Sequence, residues 1–464
     1  MKYISTRQGT KAVSIKRAML DGLAPDGGLY VPCNVPELDP SGLSALADAP
    51  MDALAFAIFK PFVTDEISDA ALMRMMSSAY ASFRHPSIAP LVEVAPNRWI
   101  MELFHGPTLA FKDLALQVLA PFMEHFLNDG GHDAFILCAT SGDTGGAALS
   151  AFSTSDRVKA LVLYPLGGVS KFQEEQMQHL ASQRCRVVAV DGTFDDCQRL
   201  VKSLLAKRKV AQQFGLTAVN SVNWGRIMAQ TVYYAKAALK HGTQNRPVNF
   251  VVPTGNFGNA YAGVLAKRMG FPIGQIIVAN NANDTLHRAL NDGVYEPSTT
   301  LETNTPAMDI QAPSNFERMV FDADPSAEKA ESMRFLEALK QDGKATVPDK
   351  SIEAIRKDIV TRTISNTQTD CQIKVTYETS GYIADPHTAL ALAAADQTGS
   401  GSAPTVVLAT AHPVKFAQIV GAALRRDIEI TAYRGASFDC VTNPPVLAAD
   451  EDSILEQIGE IVRA

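Results

Sequence analysis

Val248-Asn-Phe-Val-Val-Pro-Thr-Gly-Asn-Phe-Gly-Asn259 runs from an apolar stretch through a glycine turn into a helix-forming segment, Ala260 to Met269, that Gly270 stops. Ala134-Phe-Ile-Leu-Cys-Ala139 repeats the arrangement, followed by the turn Thr140-Ser-Gly-Asp-Thr-Gly-Gly146 and the helix former Ala147-Ala-Leu-Ser-Ala-Phe152. Continuous apolar runs separated by helices are the pattern of parallel strands covered on both faces. Lys159–Tyr164, Arg186–Val190, Gln275–Ala279 and Thr405–Ala409 add strands of the same kind. The pattern predicts an α/β fold with mainly parallel sheets.

Outward from these units the chain divides into three. Residues 1–95 read as an N-terminal accessory domain. It has a strand at Leu29-Tyr-Val31, closed by Pro32, and a helix over 66–83 with Ile67, Ala71, Leu72, Met75 and Met76 near one face. Residues 96–240 include a small α/β domain, and residues 241–464 form a large one. A polar insertion spans about 285–375, of which 322–350 reads as exposed.

At 464 residues the chain is too long for one hydrophobic core. Its 46% apolar and 20% charged residues are ordinary for a globular protein. The net charge of −7, without a Lys/Arg block, gives no nucleic-acid footprint. No 18-residue apolar stretch suggests a membrane span, and Met1-Lys-Tyr-Ile-Ser-Thr-Arg7 has no apolar leader core, so a cytoplasmic location is expected. Cysteines at 33, 138, 185, 197, 371 and 440 show no C-x-x-C pair, so no metal site is expected, and Cys138 reads as core packing.

Lys112 stands in Phe104-His-Gly-Pro-Thr-Leu-Ala-Phe-Lys-Asp113 among apolar neighbours able to desolvate it. Desolvation favours the neutral, nucleophilic amine. Taken alone, a lysine in this position is most often a surface residue at a helix start. In the 254–259 turn, Gly255 and Gly258 permit positive φ and close approach of backbone to an anion, and the following helix offers free N–H groups and its positive dipole end. The bland alternative is a tight strand-to-helix connection. Neither the dinucleotide glycine spacing nor a Walker lysine is present. The 140–146 turn, with hydroxyls at Ser141 and Thr144 and accessible amides at Gly142, Gly145 and Gly146, suits a carboxylate or a second phosphate. Asp143 would repel an anion, so it is expected to hold the loop or meet an ammonium. Arg226, in Asn220-Ser-Val-Asn-Trp-Gly-Arg226, suits phosphate or pairs with a surface carboxylate. Thr410 is either a cleft hydroxyl or a cap. His105, His387 and His412 read as structural. One amine with two anion-receiving loops points to a covalently held phosphorylated aldehyde, pyridoxal phosphate.

These motifs resemble threonine synthases, among the fold-type-II pyridoxal-phosphate enzymes (tryptophan synthase β-like). The resemblance runs from Tyr3-Ile-Ser-Thr-Arg7 and Ala24-Pro-Asp-Gly-Gly-Leu-Tyr30 through the motifs above to Ala409-Thr-Ala-His-Pro-Val-Lys415, and it points to the longer branch with an N-terminal domain. Gln8 stands where that branch has glycine. The resemblance implies that Lys112 forms the Schiff base and serves as acid and base. It implies that Gly255, Asn256, Phe257, Gly258 and Asn259 hold the cofactor phosphate and that Thr410 meets the ring nitrogen. It places Ser141, Gly142, Asp143 and Thr144 at the substrate carboxylate; Asn223 and Arg226 are assigned here to the substrate phosphate. The implied reaction turns O-phospho-L-homoserine and water into L-threonine and phosphate through aldimine and ketimine intermediates, in a monomer or homodimer. A dehydratase or β-replacement lyase, a phospholyase yielding 2-oxobutyrate, and a binding protein without turnover are the competing readings.

Overall fold

The computed structural model describes residues 1–64, 66–399, 401–429 and 444–463. Its larger sheet has six strands in the order Ile359–Thr363, Ile273–Asn280, Val248–Pro253, Thr405–Ala409, Arg98–Glu102 and Leu91–Ala95. All neighbours pair in parallel except the last two, which form an antiparallel hairpin. The smaller sheet is parallel throughout, in the order Val446–Ala448, Cys185–Asp191, Val158–Pro165, Ala134–Ala139 and Leu216–Thr217. Every residue of Ala134–Ala139 and of Thr405–Ala409 is buried, as continuous apolar strands covered on both faces require.

The sheets do not follow the linear division of the sequence. Residues 91–102 join the larger sheet, and Val446–Ala448 crosses back to edge the smaller one, where Ile454, Ile458 and Ile461 of the last helix enter its core. The polar stretch is also less superficial than its composition suggests. Ile359–Thr363 is an edge strand of the larger sheet, and Asp324, Ser332 and Phe335 are buried. Cys440 lies outside the described residues, and the other five cysteines are free thiols. Among the described residues, no helix is long and apolar enough to cross a membrane.

The N-terminal helices Met51–Val63 and Asp69–Tyr80 pack on Lys112–Gly130 and Trp224–His241, and their side chains share one continuous core with both. The strand Tyr30–Pro32 pairs antiparallel with Tyr3–Ser5, which brings the two N-terminal motifs side by side.

Parallel pairing leaves the carboxyl ends of the strands on one edge, and there the lysine segment is tied to the end of Thr405–Ala409. Phe111 N–H donates to Thr410 O (2.8 Å) and His412 N–H to Leu109 O (3.0 Å), around an antiparallel bridge between Ala110 and Ala411. Burial pushes the His412 imidazole down to about 4, with Glu102 opposing and His105 reinforcing the shift. Unfolding returns it toward its ordinary value, so the unfolded chain takes up more protons between these values and stability falls as pH drops from about 6.5 to 4. In His412→Asn, which retains an acceptor for Val414 N–H, proton uptake on unfolding near pH 5 should fall by about one. Melting temperature measured against pH checks this.

Candidate active site

The motif around Lys112 closes on itself. Thr108 donates to Asp113 from both its N–H (2.8 Å) and its hydroxyl (2.6 Å), and a Cβ on Gly106 would stand 2.4 Å from that of Asp113. Asp113 is fully buried; burial pushes its carboxyl up to about 6 against those two bonds. This knot sets the start of the helix Lys112–Gly130, so Lys112 occupies its first turn and enters a cavity of about 200 Å³.

Of the residues assigned from sequence, Lys112, Ser141, Asp143, Thr144, Arg226, Gly255, Asn256, Phe257, Gly258, Asn259 and Thr410 all line that cavity. Asn223 and Gly142 do not. Asn223 is the N-cap of Trp224–His241: its Oδ1 accepts from Gly225 N–H (2.9 Å) and its amide donates to Met19 O and Ala218 O, so it is engaged in the loop rather than presented to the cavity. Asn220 and Ser221 of the same loop reach the cavity instead, and Asn220 Oδ1 is buried without a partner. Gly142 adopts φ +121°, and a Cβ there would lie 2.4 Å from Gln173 Cδ.

The glycine turns work differently from the simplest reading of their composition. In the 140–146 turn the Thr140 hydroxyl accepts from the Gly142 and Gly145 amides (3.0 and 2.9 Å), and Gly146 N–H bonds Gly142 O, so these three amides are already engaged. The N–H groups of Asp143 and Thr144, at the first two helix positions, have no intrahelical acceptor. In the 254–259 turn the positive φ expected at the glycines falls on Phe257 (φ +63°), whose ring packs against Phe316 while its backbone opens the helix Gly258–Arg268. Gly255 is required for contact: a Cβ would stand 2.9 Å from Ala307 O. Asn259 Oδ1 accepts from the hydroxyls of Tyr233 (2.6 Å) and Tyr234 (2.8 Å), which leaves its Nδ2 buried and unpartnered. An orphaned donor beside free N–H groups at a helix start is a fitting receptor for a phosphate.

Charge completes the site. Asp143 Oδ2 lies 3.2 Å from Lys112 Nζ, while Oδ1 lies 2.8 Å from Lys415 Nζ and accepts from Gln173 Nε2 at 2.8 Å. Burial opposes ionisation of Asp143, but Lys415 and Lys112 outweigh it and hold the carboxyl far below its usual range. Burial lowers the Lys112 amine; Asp143 opposes this, and Arg226 and Lys415 add to it. Arg226 is 3% exposed and, among the described residues, forms no ion pair. Its Nη1 donates to Val219 O (3.2 Å), its Nε is unpartnered, and burial lowers it to about 10. The surface-carboxylate alternative for Arg226 therefore fails, and a buried guanidinium without a counter-ion calls for an anion. Thr410 lines the same cavity.

Gln173, Lys415, Tyr233 and Tyr234 are the supporting residues that sequence reading missed. Only Lys415 lay within a recognised motif; nothing local marks the others. Among the described residues no cluster of ligands is placed to hold a metal. Asp143→Asn should destabilise the fold by about 3–5 kcal/mol, because Lys415 is then buried without its counter-charge. Adding Lys415→Met should recover most of the loss in melting temperature; an additive double variant would contradict the pairing.

Comparison with known proteins agrees with this geometry. Three family descriptions match in succession: threonine synthase N terminus over residues 2–80, pyridoxal-phosphate dependent enzyme over 84–411, and threonine synthase C-terminal over 388–447. The threonine synthase of Pseudomonas aeruginosa is 43% identical over 421 residues, covering 90% of each chain. The crystal structure of pyridoxal-phosphate-bound threonine synthase from Brucella melitensis superposes with a TM-score of 0.95 at 41% identity, covering 100% of both chains. The yeast threonine synthase structure gives 0.89 at 35% identity, covering 100% of this chain and 99% of that one. The chain belongs to the threonine synthases, within the fold-type-II pyridoxal-phosphate-dependent enzymes.

Proposed function

We propose that the chain converts O-phospho-L-homoserine and water to L-threonine and phosphate, with Lys112 as the Schiff-base lysine and proton carrier. The observation that supports this most directly is a pair of anion receptors in one cavity with a buried amine. One is the free-amide turn at 255–259 and the other is the counter-ion-free Arg226. A cofactor phosphate and a substrate phosphate need one each; a dehydratase acting on a hydroxyl substrate needs only the first.

Gly255, Asn256, Phe257, Gly258 and Asn259 would hold the cofactor phosphate on backbone N–H groups and Asn259 Nδ2, with the Thr410 hydroxyl at the ring nitrogen. When bound, pyridoxal phosphate supplies an amine-reactive aldehyde and a conjugated ring that accepts electron density from substrate carbons. The chain's residues do the rest. Arg226, with Asn220 and Ser221, binds the substrate phosphate and stabilises charge on it as the Cγ–O bond breaks. The Ser141 hydroxyl and the amides of Asp143 and Thr144 receive the substrate carboxylate. Lys112 Nζ removes the Cα proton, gives it up, and as a free amine again removes the Cβ proton; burial lowers its pKa, which favours that free amine. Asp143 orients that amine rather than meeting the carboxylate with its own side chain, in keeping with its two ammonium contacts. Water adds at Cβ after phosphate has left, its spare proton goes with the phosphate, and the two protons taken from Cα and Cβ are returned at Cα and Cγ. Two deprotonations beside a neutral Thr410 hydroxyl call for a base held within hydrogen-bond reach.

Phosphate release from O-phospho-L-homoserine, measured together with the amino-acid product, tests the assignment. Stoichiometric threonine is expected; phosphate with 2-oxobutyrate would demote the enzyme to an eliminating lyase. Lys112→Ala should reduce kcat by about 10³-fold or more, and normal turnover would overturn the scheme. Arg226→Ala should raise KM by about 10–100-fold, the loss of a charge-assisted hydrogen bond to the leaving phosphate. An unchanged KM would remove Arg226 from the substrate site.

A further inference from the structure

Arg318 is fully buried, makes no ion pair among the described residues, and does not line the cavity. Burial lowers its guanidinium to about 10. Three of its five N–H donors reach three separate stretches of chain. Nε donates to Tyr30 O of the N-terminal segment (3.1 Å), Nη2 to Val222 O of the 220–226 loop (2.6 Å), and Nη1 to Asn315 Oδ1. Its plane lies over Trp224, the first residue of the helix that carries Arg226, with 5.9 Å from Cζ to the ring. Tyr3 and Phe62 of the N-terminal segment pack against that same indole.

Asn315 continues the connection to the other loop. Its backbone N–H (3.1 Å) and its Nδ2 (3.0 Å) both donate to Asn256 O, and Nδ2 also lies 3.1 Å from Ser221 O. A Cβ at Gly258 would stand 3.2 Å from that Nδ2, so the absence of a side chain at Gly258 admits the contact. Ser314 adds bonds from its hydroxyl to Asn256 Oδ1 (3.3 Å) and to Ser221 Oγ (3.4 Å). One residue earlier on the helix than Arg318, Glu317 is held from outside by the Thr6 hydroxyl (2.5 Å) and by Arg7 Nη2 (3.2 Å). A rigid, planar guanidinium bonded to three carbonyl or amide oxygens fixes their mutual spacing better than any flexible single-point donor.

We propose that Arg318 and Asn315 are positioning residues that set the spacing between the 220–226 loop and the 255–259 loop, and that the N-terminal segment, through Tyr30 O and the Arg7–Glu317 clasp, holds Arg318 in place. The segment is then a working part of the alignment of two anion sites rather than an appended domain. The inference rests on the reading of those loops as the substrate-phosphate and cofactor-phosphate sites.

The test uses the full-length enzyme and four variants: Asn315→Ala, Arg318→Lys, Arg7→Ala, and Leu161→Ala as a control for lost stability on the smaller sheet. Pyridoxal phosphate affinity is read by absorbance titration of the apoenzyme, and KM and kcat at saturating cofactor. In Asn315→Ala and Arg318→Lys, cofactor Kd and substrate KM should both rise by about tenfold, the size of one or two lost hydrogen bonds, with kcat changed less. Arg7→Ala should move both constants in the same direction by about two- to threefold, as expected of a half-exposed pair. Leu161→Ala should lower the melting temperature and leave both constants alone. Unaltered constants in Asn315→Ala, which decides alone if Arg318→Lys does not fold, would overturn the positioning role. Unaltered constants in Arg7→Ala would overturn the part given to the N-terminal segment, and equal shifts in Leu161→Ala would reduce the effect to general instability. A parent enzyme that forms no threonine would overturn the functional reading instead, and so keeps the two failures apart.

Discussion

One buried carboxylate joins the halves of this molecule. Asp143 opens the helix that follows a strand of the smaller sheet, and Lys415 lies just beyond the end of a strand of the larger sheet. Their contact, with Lys112 on the other carboxylate oxygen, draws both strand-end edges onto the same cavity. Such a buried pair is weak as a source of net stability, because desolvating two ions offsets most of their attraction. Its value is geometric: a single carboxylate, with one oxygen toward each amine, fixes where Lys112 and Lys415 stand relative to one another. Among the described residues Arg226 and Arg318 are both buried without a counter-charge, but only Arg226 lines the cavity, with its Nε unpartnered.

The remaining polar contacts follow the same division of labour. Asn220, Arg226 and Asn259 present unpartnered side-chain atoms at the cavity, whereas several residues behind it have their polar atoms engaged. Tyr233 and Tyr234 orient Asn259, Thr140 spans its own turn, and Asn223 caps the helix bearing Arg226. Rigid support of this kind is what holds donors ready for an anion without reorganisation when it arrives.

Much of this was legible from residues alone, and the misses share a cause. The buried strands and the two strand–turn–helix units were readable because apolar runs and glycine turns report on their immediate neighbours in the chain. That Lys112 and the 255–259 loop stand at turns was readable for the same reason; that they line one cavity was not. The capping role of Asn223 was not legible because a helix cap and a ligand contact use the same amide; only the partners distinguish them. The positive φ at Phe257 was missed because composition favours glycine there, while the φ that occurs depends on where the ring must pack. Ile359–Thr363 was lost in a polar stretch because an edge strand needs little apolar character to pair with Ile273–Asn280.

The sequence by itself determined the fold class, and it marked Lys112 and the two glycine turns as candidates, since each depends on short-range chemistry and on motifs with few other uses. Only the tertiary structure decided which charges face one another, that Arg226 has no carboxylate partner among the described residues, and that Gln173, Lys415, Asn315 and Arg318 stand behind the site. Those contacts join residues tens to hundreds of positions apart, and no local pattern can encode a distance that exists only once the sheets have packed.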